Sequence, residues 1–178
     1  MLSLLSQELL SVEDLVYIRS LKTLGRVKGL EDKYIVDVFN RGMNLLDRED
    51  LTNNLRGVDL EGANLREVNL YRANLKEADL RRANLSRANL YRANLIEANL
   101  YRANLIEAYL RGAYLEGANL EGAILYKTDL RRASLYRANL IEANLEGTNL
   151  YRANLREADL KGAIGIDRSR IDKDGIWR

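Results

Sequence analysis

The sequence predicts an all-β solenoid, and three regularities of its central segment carry this prediction. Leu occupies every fifth position from Leu55 to Leu160, which makes 22 repeats in register. A small residue, most often Ala, precedes each Leu by two positions, and Asn or Asp usually stands between them. A period of five fits neither an α-helix, which repeats about every 3.6 residues, nor a flat strand, which repeats about every two. The chain must therefore turn once per repeat so that every Leu faces a common axis.

The repeat unit is A-N/D-L-x-x, and its positions have separate roles. Leu and the small residue before it fill the interior, while Asn and Asp suit a bending chain because their side chains bond nearby backbone. The predicted structural core includes Leu70, Leu75, Leu80, Leu85, Leu90, Leu95, Leu100 and Leu105. The small position departs from Ala at Asn53, Val58, Val68, Thr128 and Thr148. The Asn or Asp position departs at Tyr109, Tyr114, Ile124 and Ser134.

The tandem units, such as YRANL at 71–75 and IEANL at 96–100, resemble those of the pentapeptide-repeat proteins. That resemblance implies a right-handed quadrilateral β-helix in which four repeats make one coil. The 22 repeats would then form about 5.5 coils, stacked at the spacing of about 4.8 Å that neighbouring strands adopt.

Segments without the repeat stand at both ends, where a solenoid needs covering. We predict a short N-terminal α-helical cap over residues 1–50, because apolar residues recur there at helical spacing. The repeat β-helix is expected to span residues 51–165, followed by a C-terminal capping tail at 166–178. The chain's single Trp, Trp177, is interpreted as a capping side chain of that tail.

Composition excludes most kinds of catalytic site. The chain has no Cys and no His, so thiolate chemistry, the usual zinc ligands and the commonest general base are missing. We therefore predict no enzyme, no cofactor and no metal. Acidic residues at Glu8, Glu13 and Asp14 precede the first basic one, which is unlike a secretory signal, and we expect a cytoplasmic protein without a membrane partner.

Function is expected on the two outward positions that follow each Leu. If a coil takes 20 residues, one face collects basic and aromatic residues and no acidic ones at these positions. The other faces mix both signs, as at Lys76 and Glu77. The candidate partner-binding residues are Tyr71, Arg72, Tyr91, Arg92, Arg111, Arg131, Arg132, Tyr151 and Arg152.

Two interpretations of this face remain open. It could bind a partner, or the YRANL unit could simply have duplicated and formed a structural ladder of stacked Tyr and Arg. Tyr109 and Tyr114 leave a similar choice, between an aromatic contact patch and a local change of coil shape.

The sequence thus predicts a binding module or scaffold that presents rigid solenoid faces to a macromolecule. An unidentified protein with an acidic surface is the expected partner, and the chain is expected to be a monomer or a weak dimer. One alternative is direct binding of nucleic acid through the Tyr/Arg face. Another comes from the resemblance, since some pentapeptide-repeat proteins modulate DNA gyrase by imitating DNA with an acidic rod. The repeat region 51–165 departs from that pattern, because it carries 17 basic and 14 acidic residues.

Overall fold

The computed structural model describes residues 55–178, of which the repeats up to residue 165 wind into a β-helix. Parallel β-bridges join each residue between Ala and Leu to its counterpart twenty residues later, from Asp59 and Asp79 to Asn144 and Ile164. Twenty residues are four repeats, so each coil has four faces and contributes one repeat to each. The predicted helical cap at 1–50 lies outside the described residues, and the total of about 5.5 coils stays a prediction because the count begins before residue 55.

Each repeat bends through a hydrogen-bonded turn. The Ala63 N–H donates to the Leu60 carbonyl at 3.1 Å, and the same bond recurs along the coils. The third residue of this turn has a positive φ, 67° at Gly62 and 55° at Arg72. That combination is typical of a type II turn. The N–H of the third residue also bonds the next coil, as Arg72 N–H does with the Tyr91 carbonyl at 2.9 Å, so neighbouring coils hold the left-handed residues in place.

Asn at the position before Leu completes the turn with its side chain. The Oδ1 of Asn69 accepts the N–H of Tyr71 at 3.2 Å, and most other repeats with Asn or Asp make the same bond. Some of these amides also bond each other between coils, as Asn84 Nδ2 does with Asn64 Oδ1 at 3.2 Å. The polar residue of the consensus therefore satisfies backbone donors that the bend leaves without an acceptor.

The interior contains a column of Leu with a small residue beside each. The eight leucines from Leu70 to Leu105 that the sequence assigned to the core are all fully buried. Fully burying a Leu side chain contributes roughly 1.5–3 kcal/mol, so this column is the main source of stability. Thr replaces Ala at two of these positions, and Thr128 is the more deeply buried of the two. It is fully buried, and its hydroxyl donates to the Leu105 carbonyl at 2.7 Å.

The coil keeps its register where the consensus is broken. Tyr109 bridges Asn89 below it and Asp129 above it, and Tyr114 likewise bridges Asn94 and Ser134. The backbone bonds of these repeats have the usual lengths, such as 2.9 Å from Tyr109 N–H to the Ala88 carbonyl. These substitutions therefore change the surface of the rod rather than the path of the chain.

After the last repeat the chain turns back over the end of the solenoid. A 3₁₀ helix at Arg168–Arg170 leads into a hairpin in which Ile171 pairs with Trp177. Trp177 is buried at 7% exposure, and its N–H bonds the Ala153 carbonyl at 3.0 Å. Over the range 55–178, the structure contains no helix with the length and apolar character needed to cross a membrane.

Candidate partner-binding surface

All nine candidate residues lie along one edge of the rod, where one face bends into the next. The twenty-residue register stacks five equivalent segments there. We call this surface the basic edge, and it consists of residues 69–74, 89–94, 109–114, 129–134 and 149–154. Four spacings of about 4.8 Å make the edge about 19 Å long.

The basic edge concentrates positive charge. It contains six arginines and one acidic residue, Asp129, which gives a net charge of +5. The repeat region 51–165 as a whole carries +3, so the rest of that region carries −2. Positive charge is therefore segregated on this edge although the chain is nearly neutral overall. Segregated charge of this kind attracts partners of opposite sign over distances of about a Debye length.

Arg131 is the one arginine of the edge that is neutralised, which the sequence reasoning did not foresee. Its guanidinium bonds Asp129 through two pairs of atoms, Nε to Oδ1 at 2.8 Å and Nη2 to Oδ2 at 2.6 Å. Burial raises the pKa of Asp129, but hydrogen bonds from the side chain and backbone of Arg131, with the charges of Arg131 and Arg111, outweigh it and leave this pKa below its usual value. The same D-L-R pattern forms the same pair between Asp79 and Arg81, so the motif itself could have indicated it.

The other arginines of the edge keep their charge available. Within residues 55–178, no ion pair joins a carboxylate to Arg72, Arg92, Arg111, Arg132 or Arg152.

The ladder interpretation concerns how Tyr and Arg of this edge contact one another, and the described residues show these contacts. Two guanidinium groups of the edge lie over the ring of the preceding residue, Arg92 over Tyr91 at 5.4 Å and Arg152 over Tyr151 at 5.3 Å. Between coils it is Tyr71 and Tyr91 that stack, with ring centroids 5.6 Å apart and planes within 2°. These two coils therefore contact through their aromatic rings, and each of the two guanidinium groups contacts a ring of its own coil.

An open groove of about 530 Å³ runs along the face beside this edge. Its walls combine rings, guanidinium groups and short polar side chains. The lining residues are Tyr71, Arg87, Asn89, Tyr91, Tyr109, Arg111, Asp129 and Arg131. Four of them belong to the candidate set, whereas Arg87 comes from the preceding bend and was missed, because its side chain reaches the groove only once the coils stack.

One acidic cluster lies away from the edge. Carboxylate oxygens of Asp59, Glu61 and Asp79 lie within 4.8 Å of one another. The Arg81 guanidinium bonds Glu61 at 2.8 Å and Asp79 at 2.6 Å, and so supplies the positive charge that a metal ion would otherwise bring. This cluster is therefore an ion-pair network at the surface of the rod.

Comparison with known proteins identifies the repeat. The family model described as "Pentapeptide repeats" matches residues 54–92, 88–125, 98–137 and 133–164, which together cover more than half of the chain. No curated relative matches the chain.

Several solved structures are similar to parts of it. QnrB1, a plasmid-mediated fluoroquinolone resistance protein, is 18% identical over 65% of this chain and 70% of its own, with a TM-score of 0.48. A pentapeptide repeat protein from the thylakoid lumen of Arabidopsis thaliana is 30% identical over 61% of this chain and 65% of its own, with a TM-score of 0.26. Rfr23 from the cyanobacterium Cyanothece 51142 is 39% identical over 64% of this chain and 66% of its own, with a TM-score of 0.24.

Proposed function

The chain belongs to the pentapeptide-repeat proteins, whose repeats form a right-handed β-helix, and from this premise we propose that it is a non-enzymatic binding module. Its working surface is the basic edge, which engages a macromolecular partner of opposite charge. A rod held by a continuous Leu column offers rigid faces, and a rigid face loses little conformational entropy when it binds.

The observation that carries this proposal is the segregation of charge. Five arginines of the edge have no carboxylate partner within the described residues. Four of them, Arg72, Arg92, Arg132 and Arg152, occupy the same position of successive coils, one or two coils apart, which is about 4.8 or 10 Å. Their mutual repulsion is unfavourable in the free rod. A partner that brings carboxylates or other anions to the edge relieves this repulsion, which favours the bound state.

The groove beside the edge suits binding better than catalysis. Catalysis with carboxylates needs a pocket that excludes water and shifts their pKa values, and the groove is an open depression on the side of a rod. Its single carboxylate, Asp129, is bonded to Arg131 and has a lowered pKa, which makes it a poor general base. These properties support a role without chemistry.

Imitation of DNA is disfavoured by the sign of the charge. A DNA mimic presents stacked carboxylates, whereas the densest like-charged surface of this rod is the basic edge with a net charge of +5. Direct binding of nucleic acid is compatible with that sign and is separated from protein binding by the experiment below.

The test is capture of partners from a lysate of the source cells by three forms of the protein. In the edge variant, Arg72, Arg92, Arg132 and Arg152 are each replaced by Glu. These positions tolerate Glu, because Glu77 and Glu97 adopt the same left-handed conformation with φ near 60°. We expect wild type to retain a protein that the edge variant loses.

The matched control changes the same charge elsewhere on the rod. Arg82, Arg102, Lys127 and Arg137 occupy the same position of their repeats, with φ between 53° and 56°, but lie outside the basic edge. Their replacement by Glu should leave capture intact. Equal capture by wild type and the edge variant would refute the proposal, and nuclease-sensitive capture would replace the protein partner by nucleic acid.

A further inference from the structure

We infer that the centre of the basic edge, at Tyr109 and Tyr114, is the recognition site for an extended acidic segment of a partner protein. This inference rests on the proposed function and names the site and the chemistry of its ligand. The two rings stand on adjacent faces, on either side of the bend at residues 110–113, and arginines surround that bend.

The two tyrosines protrude from the rod. Tyr109 is 56% exposed and Tyr114 is 49% exposed. Short polar side chains flank each ring along its face, Asn89 and Asp129 for Tyr109, and Asn94 and Ser134 for Tyr114. Neighbours of this size leave the rings uncovered. Exposed Tyr with nearby Arg is the composition that dominates binding energy at protein interfaces.

These rings replace a side chain that the repeat uses for its own stability. In other repeats the Asn oxygen accepts a backbone N–H two residues on, as Asn94 does from Ile96 at 3.1 Å. A Tyr ring cannot make that bond to Arg111 or Glu116. The chain thus gives up a local hydrogen bond at both positions and exposes two aromatic rings. A residue that departs from the stabilising pattern of its own repeat in this way marks a functional position.

The bend between the rings forms an indentation bordered by positive charge. Gly112 has no side chain, whereas the equivalent residues of the neighbouring coils are Arg92 and Arg132. These two arginines lie two coils apart, about 10 Å, with the half-buried Gly112 between them. Arg111 adds a third positive charge in the same bend. A carboxylate bound at this bend lies near three arginines, Arg92, Arg111 and Arg132, that have no carboxylate partner within residues 55–178.

The length of the edge favours a short acidic peptide over a nucleic-acid strand. About 19 Å accommodates about six residues of extended chain. Carboxylates border the edge on both sides, Glu97 and Glu116 in the following bend and Glu107 in the preceding one. A long polyanion would be repelled as it left the edge, while a short acidic segment contacts the arginines alone. In addition, the Tyr71 and Tyr91 rings already stack on each other, which reduces the ring surface that bases would need.

The test uses fluorescence anisotropy with defined probes. The ligand is a fluorescein-labelled peptide of about eight residues, slightly longer than the edge, in which Glu residues flank a central Leu. A matched peptide carries Gln in place of Glu, and a labelled oligothymidylate serves as the nucleic-acid probe. We expect the acidic peptide to bind wild type at least about tenfold more tightly than either control probe.

Two variants separate recognition from simple charge attraction. Tyr109→Asn with Tyr114→Asn restores the consensus of the repeat and leaves the net charge unchanged, and we expect about a tenfold loss of affinity with the melting temperature retained. Gly112→Arg fills the indentation and adds a positive charge. A Cβ at Gly112 would lie an ordinary 3.5 Å from Arg92 Cγ, so the variant should fold. We expect it to bind the peptide more weakly despite its higher charge.

Each outcome decides the inference. Binding that is unchanged in the double Asn variant, or stronger in Gly112→Arg, would mean that charge alone attracts the peptide, and the inference would be wrong. Tighter binding of oligothymidylate, or no binding of the acidic peptide, would also overturn it. None of these results would test the proposed function, which the lysate experiment decides. If the edge variant loses a partner that the double Asn variant retains, the basic edge binds that partner at a place other than Tyr109 and Tyr114.

Discussion

Two kinds of residue in this rod occupy positions that their type does not usually favour. Arg, Glu and Lys adopt left-handed backbone at the third position of the turn, where Gly is the usual choice. Thr128 places a hydroxyl in a column of Leu and Ala. In both cases a hydrogen bond compensates, from the backbone N–H to the next coil in the first and from the hydroxyl to the Leu105 carbonyl in the second.

The hydroxyl of Thr128 can be tested by removing it without changing the shape of the side chain. We expect Thr128→Val to lower the free energy of unfolding by about 1 kcal/mol, the net value of a typical intramolecular hydrogen bond. Urea denaturation measures the difference. The Val side chain itself fits this kind of position, since Val68 is fully buried at the same place in its repeat. Equal stability of the variant and wild type would show that the bond contributes nothing net.

At the scale of the element, the C-terminal tail is held against the last coil by close backbone approach. The Arg152 N–H donates to the Trp177 carbonyl at 2.8 Å, and the Leu155 N–H donates to the Gly175 carbonyl at 2.8 Å. These bonds occupy donors that a further coil would otherwise satisfy. The tail therefore covers part of an end that would expose unpaired backbone.

Gly175 is the residue that permits this approach. A Cβ there would lie 2.6 Å from Arg156 Cα, and its φ is 77°, so we expect Gly175→Ala to destabilise the docked tail by about 1–3 kcal/mol. Trp177 is the chain's single Trp, and its fluorescence should shift to the red at lower urea concentration than in wild type. Gly117→Ala is the control, because Gly117 has a similar φ of 64° but a Cβ there would lie an ordinary 3.7 Å from Glu97 Cγ. If both variants shift the fluorescence transition by the same amount, the destabilisation comes from the positive φ and not from the close contact with Arg156.

At the scale of the whole molecule, stability comes from stacking and is local along the rod, while charge is arranged over several coils. Every coil contacts only its neighbours, so a change in one face is felt by adjacent coils alone. The basic edge, in contrast, exists only as a sum over five coils. The rod can therefore acquire a new surface by substituting outward residues, without any change to its core.

The charge arrangement predicts how stability depends on pH. Hydrogen bonds from Arg56 to Glu77 and from Arg137 to Glu157 lower the pKa of each of these carboxyl groups, and bonds from Arg131 lower that of Asp129 despite its burial. A carboxyl group whose pKa is lower in the folded state than in the unfolded chain stabilises the fold at pH values above its unfolded pKa, which is near 4. This stabilisation is lost as the pH falls through the folded-state pKa.

We therefore expect the melting temperature to be constant between about pH 8 and pH 5.5 and to fall below about pH 4. No His is present to titrate in the neutral range. Calorimetry at a series of pH values measures the profile. A fall between pH 8 and pH 6 would contradict this account, since no side chain of the chain normally changes its charge there.

The sequence by itself determined the repeat, the inward Leu and the family. Each of these follows from the five-residue period, which is visible within any short stretch of the repeats. With the twenty-residue coil that the family resemblance implies, the sequence also placed all nine candidate residues on one edge, and the β-bridges have that register. The tertiary structure alone decided what those side chains contact. Arg131 bonds Asp129, Arg87 reaches the groove, and the tail folds back onto Ala153, because such contacts depend on side-chain direction and chain reversal rather than on a repeated spacing.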